Sequence, residues 1–490
     1  MKTLFGNQRP YVLIDSRKAL IILLLSFFGS AGGLSPQLVA ADSSNKIKVF
    51  TPILNKSIIL PVYPKLPNQN ESIIEPTTGL KLTRLTDSDR LDGTSDAFVS
   101  YSRYTPENSS GNLFLAFGSN SISSWVIERK TGETIAKLTK RGGKTIGENH
   151  EIRWDNSGKH PNRLYYRDGM RLIQIDNVYD HIKTTSTIKD FSKQFPESTL
   201  VYNDVEGDSS DDSDHWAFMA VHYNGTTNVV DAFIHYQIST DTTHSLTTKQ
   251  LSGTKLGHYA ERKVFPRPNM VEISPNGDGI VLHYERAWGN KEYGNRHKDI
   301  NTWFDGAYLW PLDFNIEKQK PRKISVSSTH SGWSWGNNEE SYFISQNNRT
   351  DYIEAVPLSP NKRSIIIGSH RDMGWSTGFH FGKMPKKLSN WSLVSTYGLG
   401  DEKEEWALNQ IFLLELKSIY QNNRIVRIGP TYNHYDGEYR DEAIAAINLE
   451  GNRVYFSSNW GGSIQHREIF MYELPENWQE NLRHKNNSLK

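Results

Sequence analysis

The stretch Ser274 to Tyr284, SPNGDGIVLHY, joins a turn rich in proline, asparagine and glycine to a run of apolar and aromatic residues. Proline, asparagine and glycine favour tight turns, whereas isoleucine, valine and tyrosine favour extended strands. The same order of turn and strand recurs at Trp154 to Tyr166, WDNSGKHPNRLYY. Helical periodicity is scarce along the rest of the chain. These patterns predict an all-β protein.

The turns that precede the strands recur at a regular interval. Their anchor positions are Pro106, Asp155, Asp212, Pro275, Asn337 and Glu450. Successive anchors lie about 50 to 60 residues apart, except for the last interval, which is about twice as long. One interval has room for roughly four short strands, the content of one propeller blade. We therefore predict a seven-bladed β-propeller, since the alternatives, a β-sandwich or a barrel, would not require this period.

The composition excludes several classes of protein. The 490 residues include 56 Lys plus Arg against 55 Asp plus Glu, and the net charge of +1 gives no general attraction to nucleic acid. The absence of cysteine excludes disulfides, thiolate metal sites and cysteine nucleophiles. An aromatic content of 11% argues against a disordered chain. We expect a monomer that holds its anionic ligands by local charges.

The N-terminus has the features of an export signal. Arg17 and Lys18 precede an apolar run from Ala19 to Phe28, and the small residues of Val39-Ala40-Ala41 follow. This order is typical of a secretory signal peptide, and the run is shorter than the roughly 20 residues that a membrane anchor needs. We expect a signal peptide over residues 1–41 and a single propeller domain over 42–490. The mature protein would be secreted or periplasmic, without membrane contact.

Many histidine, tyrosine and arginine side chains occupy equivalent positions in the predicted blades. In a propeller, the innermost strand of each blade begins, and the second strand ends, at the same face. Residues at these two positions therefore converge on the axis. The residues concerned are His150, Arg167, His222, Tyr223, Tyr259, Arg262, His283, Tyr284, Arg286 and His330. We expect them to line one axial funnel.

Such a lining favours elimination over hydrolysis. Glycoside hydrolysis normally uses two carboxylates that flank the bond, and no such pair is evident. β-Elimination from a uronic acid needs a cation for the carboxylate, a base for the proton on C5 and an acid for the leaving oxygen on C4. Arginine binds a carboxylate through two parallel hydrogen bonds, and histidine or tyrosine can transfer the protons. A tyrosine close to an arginine is expected to have its phenolate favoured.

The period, the export signal and the segment Asn149 to Asp155, NHEIRWD, together resemble the secreted β-propeller polysaccharide lyases of marine bacteria, ulvan lyases in particular. The resemblance is spread over most of residues 75 to 475. It implies β-eliminative cleavage of a sulfated polymer of rhamnose and glucuronic or iduronic acid, which leaves an unsaturated uronate end. It also implies chemistry without a cofactor, and allows a structural divalent metal, Ca or Zn, whose ligands are unknown.

The resemblance also implies roles for individual residues. His150 matches a family histidine, Arg262 the arginine that neutralises the uronate, and Tyr223, in preference to Tyr259, the tyrosine. A second family histidine is replaced here by the segment Tyr165-Tyr166-Arg167-Asp168, which favours a tyrosine base but leaves histidine open. The implied catalytic residues are thus His150, Tyr223 and Arg262. The expected substrate-binding residues are Arg167, His222, Tyr259, His283, Tyr284, Arg286, His330 and Trp333.

Other interpretations have weaker support. The segment Gly332 to Gly336, GWSWG, matches a G-x-S-x-G nucleophile elbow around Ser334, but the residues after it predict a strand where the elbow needs a helix. The acidic cluster from Asp208 to Asp214 lacks the glycine and the glutamate of an EF-hand, so we expect a solvated turn. A non-catalytic propeller that binds carbohydrate or protein stays an alternative. So does an oligogalacturonate-type lyase, which would need a histidine-ligated metal.

Overall fold

The structure is a computed structural model, and its described residues form one compact unit. It describes residues 50–482 except 51, 60–61, 255–259, 262, 264, 285–302, 305, 327–329, 399–404, 477 and 480–481. Within these ranges the chain contains 28 strands in seven antiparallel sheets. The all-β, seven-bladed β-propeller predicted from the sequence is confirmed. No helix in the described ranges is long and apolar enough to cross a membrane.

Six blades use strands that are consecutive in the chain, ordered from the axis outwards. Blade 1 contains β3 (Leu113–Phe117), β4 (Ser124–Glu128) and β5 (Thr134–Lys137). Blade 2 contains β6 (Arg153–Trp154), β7 (Leu164–Asp168), β8 (Arg171–Ile175) and β9 (Thr185–Asp190). Blade 3 contains β10 (Leu200–Tyr202), β11 (His215–Tyr223), β12 (Asn228–Gln237) and β13 (Thr242–Thr247). Blade 4 contains β14 (Met270–Ile273), β15 (Ile280–Tyr284), β16 (Gly306–Trp310) and β17 (Arg322–Ser325). Blade 5 contains β18 (Ser331–Trp335), β19 (Ser341–Asn347), β20 (Tyr352–Pro357) and β21 (Ile365–Ser369). Blade 6 contains β22 (Gly378–Phe381), β23 (Trp391–Tyr397), β24 (Gln410–Glu415) and β25 (Ile425–Pro430).

Short helical turns occur only in the connections of the described chain. The 3-10 turns are Ser88–Arg90, Ser119–Ser121, Glu148–His150, Val178–Asp180, Thr248–Leu251, Asn337–Glu339, Lys386–Leu388, Ile419–Gln421 and Tyr439–Asp441, and one α-helical turn spans His370–Met373.

The seventh blade combines both ends of the described chain. Its strands are β1 (Ser72–Ile74), β2 (Lys81–Arg84), β26 (Ala446–Ile447), β27 (Arg453–Ser458) and β28 (Glu468–Glu473), paired in the order β1-β2-β28-β27-β26. The β2 strand pairs antiparallel with β28, with Lys81 opposite Glu473 and Arg84 opposite Phe470. This pairing closes the ring without a covalent bond, which a chain that lacks cysteine requires.

A buried carboxylate joins the two ends next to this pairing. Glu468 is completely buried and accepts hydrogen bonds from the Arg84 guanidinium at 3.2 Å, the Thr86 hydroxyl at 2.5 Å and the Ser88 backbone N–H at 2.9 Å. Buried charges are stable only when they are paired and hydrogen-bonded in this way. Glu468 therefore fixes the N-terminal segment to the last blade.

Aromatic side chains fill the spaces between blades. The largest buried side chains include Trp125, Trp154, Trp216, Trp310, Trp333 and Trp335. Two of their indole N–H groups bond to turn carbonyls, Trp154 to Pro106 at 2.8 Å and Trp216 to Ser213 at 2.9 Å. Each such ring removes a large apolar area from water. Most tryptophans of the described chain therefore serve packing.

The G-x-S-x-G match is part of a strand. Gly332 to Trp335 belong to β18, and Ser334 is completely buried within it. A nucleophile elbow needs a sharp turn that exposes its serine before a helix. The structure therefore gives the serine hydrolase alternative no support.

We predict that Glu468→Ala lowers the free energy of unfolding by about 3 kcal/mol or more, because it removes the acceptor of the buried Ser88 N–H group and the buried carboxylate partner of Arg84. Glu468→Gln should cost less, since it keeps one acceptor oxygen. Denaturant titration of the full chain measures both. The control is Glu450→Ala, which removes only an exposed ion pair with Lys387 and should change stability by at most about 0.5 kcal/mol. Equal stability of Glu468→Ala and the wild type would contradict the role of this carboxylate.

Candidate functional site

The inner strands begin at the face where the second strands end, as the registers show. Met270, first in β14, pairs with His283 near the end of β15, and Gly378, first in β22, pairs with Tyr397, last in β23. Residues just before inner strands and at the ends of second strands thus gather around the axis at this face. We call this entrance the funnel.

Buried ion pairs fill the channel below the funnel. Arg103, in the segment before β3, is completely buried and donates to Glu272 of blade 4 at 2.7 Å and to Ser331 of blade 5. Lys383, which follows β22, contacts Asp208 and Asp211, each at 2.8 Å. These side chains thus bond to one another across the axis. Asp208 is buried, so the expectation of a solvated acidic turn was wrong for this residue.

Two stacked histidines, which we call the imidazole pair, occupy one side of the funnel. The rings of His330 and His380 have centroids 4.6 Å apart and an interplanar angle of 26°. His330 Nδ1 bonds to the backbone carbonyl of Phe379, and His380 Nε2 bonds to a Glu442 carboxylate oxygen at 2.8 Å. A carbonyl and a carboxylate can only accept, so each of these ring nitrogens carries the proton. The lone pair then lies on Nε2 of His330 and on Nδ1 of His380.

Burial keeps the imidazole pair neutral. Desolvation first, and the neighbouring His380 second, lower the pKa of His330 to about 4. Desolvation and the charge of Arg103 lower the pKa of His380 to about 3. His380 is buried, whereas His330 is partly exposed. His330 is therefore the member whose Nε2 lone pair a ligand can reach.

A tyrosine is held beside the imidazole pair. The Tyr397 ring centroid lies 5.3 Å from that of His380 and 6.5 Å from that of His330. A Cβ atom at Gly378 would lie 2.4 Å from Tyr397 Cζ and 2.8 Å from its hydroxyl oxygen. Glycine at the start of β22 thus makes room for the phenol. The arrangement places the phenol ring of Tyr397 beside both imidazole rings.

A third histidine of the funnel has the opposite tautomer. His150 ends the turn Glu148–His150, and its Nδ1 accepts the N–H of Gly147 at 3.2 Å. The proton of the neutral ring therefore lies on Nε2. Desolvation, followed by the charges of Lys140 and Arg167, lowers the pKa of His150 to about 4. At neutral pH, Nε2 of His150 is a donor whereas Nε2 of His330 is an acceptor.

Two arginines flank a tyrosine near His150. The guanidinium carbons of Arg167 and Arg267 each lie 5.7 Å from the ring centroid of Tyr202. Arg167 contacts Glu151 at 3.3 Å, and Arg267 donates to Asp204 at 2.6 Å. We call His150, Arg167 and Arg267 the donor wall, because each of these side chains carries N–H donor groups.

Burial outweighs the arginines in setting the ionisation of Tyr202. Desolvation is the largest influence and raises its pKa, although Arg267 acts in the opposite direction. The charge of Arg267 thus favours the phenolate of Tyr202, as expected for a tyrosine close to an arginine, but burial has the larger effect and keeps the phenol protonated.

A strained segment lies between the donor wall and the imidazole pair. Asp204 and Val205 both have φ of 67°, a left-handed conformation that a β-branched residue rarely adopts. The Glu151 carboxylate accepts the Val205 N–H at 2.9 Å, and Arg153 donates to the carbonyls of Val205 and Gly207 at 2.5 and 2.6 Å. Two buried charged side chains therefore hold this conformation in place.

The strained segment connects the two sides of the funnel. On one side Asp204 binds Arg267 of the donor wall. On the other side a hydrogen bond from Tyr101 to Glu206 contributes to the raised pKa of Tyr101, which is mainly due to burial. The Tyr101 ring lies 5.6 Å from that of His380. The donor wall and the imidazole pair thus belong to one continuous site.

Three of the residues expected in the funnel are found there, namely His150, Arg167 and His330. His222 and Tyr223 end β11 at the same face but bond within their own hairpin, His222 to Asp231 at 2.8 Å and the Tyr223 hydroxyl to the Gly225 carbonyl at 2.9 Å. The catalytic role of Tyr223 stays a prediction. Arg262, Tyr259 and Arg286 lie outside the described residues, so their roles stay predictions as well.

The other three expected binding residues are inside the protein. His283 bonds to Glu272 at 2.8 Å in the filled channel, and the Tyr284 hydroxyl donates to the Pro266 carbonyl at 3.0 Å. Trp333 packs against Phe343 with ring centroids 5.2 Å apart. All three are buried, which is typical of packing residues, and substrate contact by them stays a prediction.

Sequence reasoning missed His380 and Tyr397. Both belong to blade 6, whose inner strand β22 is followed by Gly382, Lys383 and a 3-10 turn instead of a turn rich in Asn and Gly. Blade 6 therefore had no anchor, which explains the double interval between Asn337 and Glu450. A strand search within that interval would have found Gly378-Phe379-His380-Phe381.

Comparisons with known proteins support the fold. No protein-family model matches the chain, and no curated protein matches it in sequence. An oligogalacturonate lyase from Vibrio parahaemolyticus has a similar structure, with a TM-score of 0.54, 12% identity, and coverage of 83% of this chain and 97% of that chain. An oligogalacturonate lyase in complex with manganese also has a TM-score of 0.54 and 11% identity, and the alignment covers 85% of this chain and 99% of that chain. At this identity the likeness concerns the propeller fold.

The manganese of the second neighbour raises the question of a metal in this chain. Among the described residues, no group of three or more His, Asp or Glu side chains is placed to hold a metal ion. The imidazole pair offers two nitrogens on stacked rings, whose in-plane lone pairs do not converge between the rings. The described residues thus do not fit such a site, and the expected structural divalent metal stays a prediction.

Proposed function

We propose that this protein is a polysaccharide lyase that cleaves a uronic-acid-containing polymer by β-elimination in the funnel. The observation that carries the proposal is the presence, in one funnel, of neutral imidazoles with opposite tautomers. His330 presents a lone pair on Nε2, and His150 presents an N–H. Elimination from a uronate needs both an acceptor for the C5 proton and donors for the developing negative charge.

His330 is the proposed base. Its Nε2 takes the C5 proton, the electrons of that C–H bond form the C4–C5 double bond, and the bond from C4 to the leaving oxygen breaks. The imidazolium that forms is favoured by the nearby charge of Glu442, which raises the pKa of His330 against the effect of burial. The Glu442 carboxylate therefore stabilises His330 most when the imidazole of His330 is protonated.

Tyr397 is the proposed acid. Its hydroxyl gives a proton to the leaving oxygen as the C4–O bond breaks, and the imidazolium of His330 then restores the phenol. The net result is transfer of one proton from C5 to the new hydroxyl group, with an unsaturated uronate as the second product. The ring contacts of Tyr397 with both histidines support this assignment.

The acidic groups of the polymer need cations and donors. We propose Arg262, on the basis of the sequence resemblance, as the cation for the carboxylate of the reacting sugar. The donor wall would bind the carboxylate or sulfate groups of neighbouring sugars, since guanidinium groups bind such oxyanions through paired hydrogen bonds. A sulfated, ulvan-type polymer offers both kinds of group.

The exported location expected from residues 1–41 agrees with this proposal. A polysaccharide cannot enter the cytoplasm, so the enzyme must meet it outside. We therefore propose that the propeller acts after secretion, as a monomer in the periplasm or outside the cell.

The first test is an assay of the mature chain on ulvan and on oligogalacturonate, read as ultraviolet absorbance of the conjugated unsaturated uronate. We expect product from at least one uronan, and a loss of about a hundredfold or more in kcat/KM for His330→Gln, which removes the base. His181→Gln is the control, because His181 lies in the connection between β8 and β9 and bonds to Thr139. A folded protein that forms no product from any uronan would overturn the proposal.

The pH dependence tests the identity of the base. Protonation of His330 removes its acceptor, so kcat/KM should stay nearly constant from pH 7 to about pH 5 and decline as the pH falls through about 4. An acidic limb centred near 6.5, the ordinary value of an exposed histidine, would contradict the assignment. The measurement is kcat/KM across this range, with recovery of activity on return to pH 7 as the check for unfolding.

A further inference from the structure

We propose that Trp375 forms a sugar-stacking subsite at the rim of the funnel, where one ring of the polymer lies against its indole. The proposal deepens the proposed function, on which it rests for the identity of the polymer. It predicts a substrate that extends beyond the funnel over blade 6.

The exposure of Trp375 is unusual in this chain. Its side chain is 56% exposed, whereas every other tryptophan in the described ranges is buried or partly buried. Its neighbours in the chain, Arg371, Asp372 and Ser376, are polar and at least partly exposed, so the indole has polar residues on both sides along the chain. A single aromatic face with a polar border fits a sugar ring, which offers C–H groups on its face and hydroxyl groups at its edge. It fits an extended protein interface less well, because interface cores are larger and more apolar.

The indole rests on a fixed histidine. The His370 ring centroid lies 5.0 Å from that of Trp375. His370 Nε2 donates to the Thr377 carbonyl at 2.9 Å, and its Nδ1 accepts from the Gln346 side-chain amide at 3.1 Å. Since both ring nitrogens are engaged, the orientation of His370 is determined.

The connection that carries Trp375 is held from the other side by Glu405 and Trp406. The Glu405 carboxylate accepts from the Thr377 hydroxyl at 2.9 Å, and the Trp406 indole donates to the Asp372 carbonyl at 2.7 Å. Gly374 has φ of 113°, and a Cβ atom there would lie 1.9 Å from the Glu405 carboxyl carbon. The backbone next to Trp375 therefore has little freedom. A platform fixed in advance loses little conformational entropy on binding.

Trp375 is connected to the proposed base, His330, through the packed side chains of the same blade connection. It lies in the connection between β21 and β22, three residues before Gly378. The His370 ring that supports the indole also contacts Phe379, with centroids 5.2 Å apart, and the Phe379 carbonyl bonds to His330. The His370 imidazole thus lies between the Trp375 indole and Phe379, whose carbonyl orients His330. A sugar stacked on Trp375 would be near the reacting sugar on the same polymer chain.

The test compares Trp375→Ala and Trp375→Phe with the wild type in the mature full-length chain. Binding of ulvan oligosaccharides, and in parallel of oligogalacturonates, is measured by calorimetry under conditions without turnover, in the His330→Gln background. We expect at least a tenfold loss of affinity for long oligosaccharides with alanine and a smaller loss with phenylalanine, which keeps an aromatic face. Affinity for a disaccharide should not change, because it does not reach the rim.

Tyr179→Ala is the matched control. Tyr179 is 52% exposed and lies in the connection between β8 and β9, at the end of those strands away from the funnel. Its removal should leave affinity unchanged. In the active enzyme, Trp375→Ala should raise KM for the polymer about tenfold and change kcat less than twofold, a split that a general loss of structure would not give.

The outcomes separate the two proposals. If long uronans bind to the wild type without any unsaturated product, and Trp375→Ala weakens that binding, the lyase proposal fails and the subsite stands. If product forms but Trp375→Ala changes neither affinity nor KM, the subsite is overturned and the lyase stands. An equal loss of affinity for disaccharides and for long chains in Trp375→Ala would also overturn the subsite. So would the absence of wild-type binding to any uronan.

Discussion

The pairing of β2 with β28 is the constraint on which the rest of the structure depends. This antiparallel register joins Lys81–Arg84 to Glu468–Glu473, and Glu468 adds a buried network of hydrogen bonds across the same junction. Closure of the ring holds seven sheets around one axis, so that their inner strands begin side by side. Only then do His150, His330 and Glu442, which are far apart in the chain, belong to one funnel. The site is thus a consequence of closure, and buried ion pairs bond the blades to one another below it.

Burial gives the funnel its chemistry. Desolvation disfavours charge, so it lowers the pKa of histidines and raises that of tyrosines. His150 and His330 are therefore neutral at physiological pH, and Tyr202 is protonated. The hydrogen bond at the other ring nitrogen then decides whether Nε2 donates or accepts. A backbone N–H makes His150 a donor, and a backbone carbonyl makes His330 an acceptor. Acid–base capacity in this funnel is set by backbone geometry as much as by residue type.

The sequence was sufficient to predict the propeller and its seven blades, and to place His150, Arg167 and His330 at strand ends of one face. These inferences depend on the regular spacing of the turns and on the direction of the strands. Both follow from the order of turn-forming and β-forming residues in the chain. Blade 6 lacks the usual turn after its inner strand, so His380 and Tyr397 were missed. The sequence also could not show which way a side chain at a strand end points. His283 therefore lies in the channel and Tyr284 in the core, although both were expected to bind substrate. The positive φ of Val205 depends on Glu151 and Arg153, contacts that no local pattern encodes.

The central claim is that the funnel holds neutral imidazoles of opposite tautomers. Nitrogen-15 NMR of the histidine-labelled mature chain at pH 7 measures this directly, because protonated and unprotonated ring nitrogens have well-separated chemical shifts. Single His150→Gln and His330→Gln variants assign the two signals. The account predicts a protonated Nε2 for His150, and a protonated Nδ1 with an unprotonated Nε2 for His330. The same tautomer at both residues, or an imidazolium at either, would contradict it.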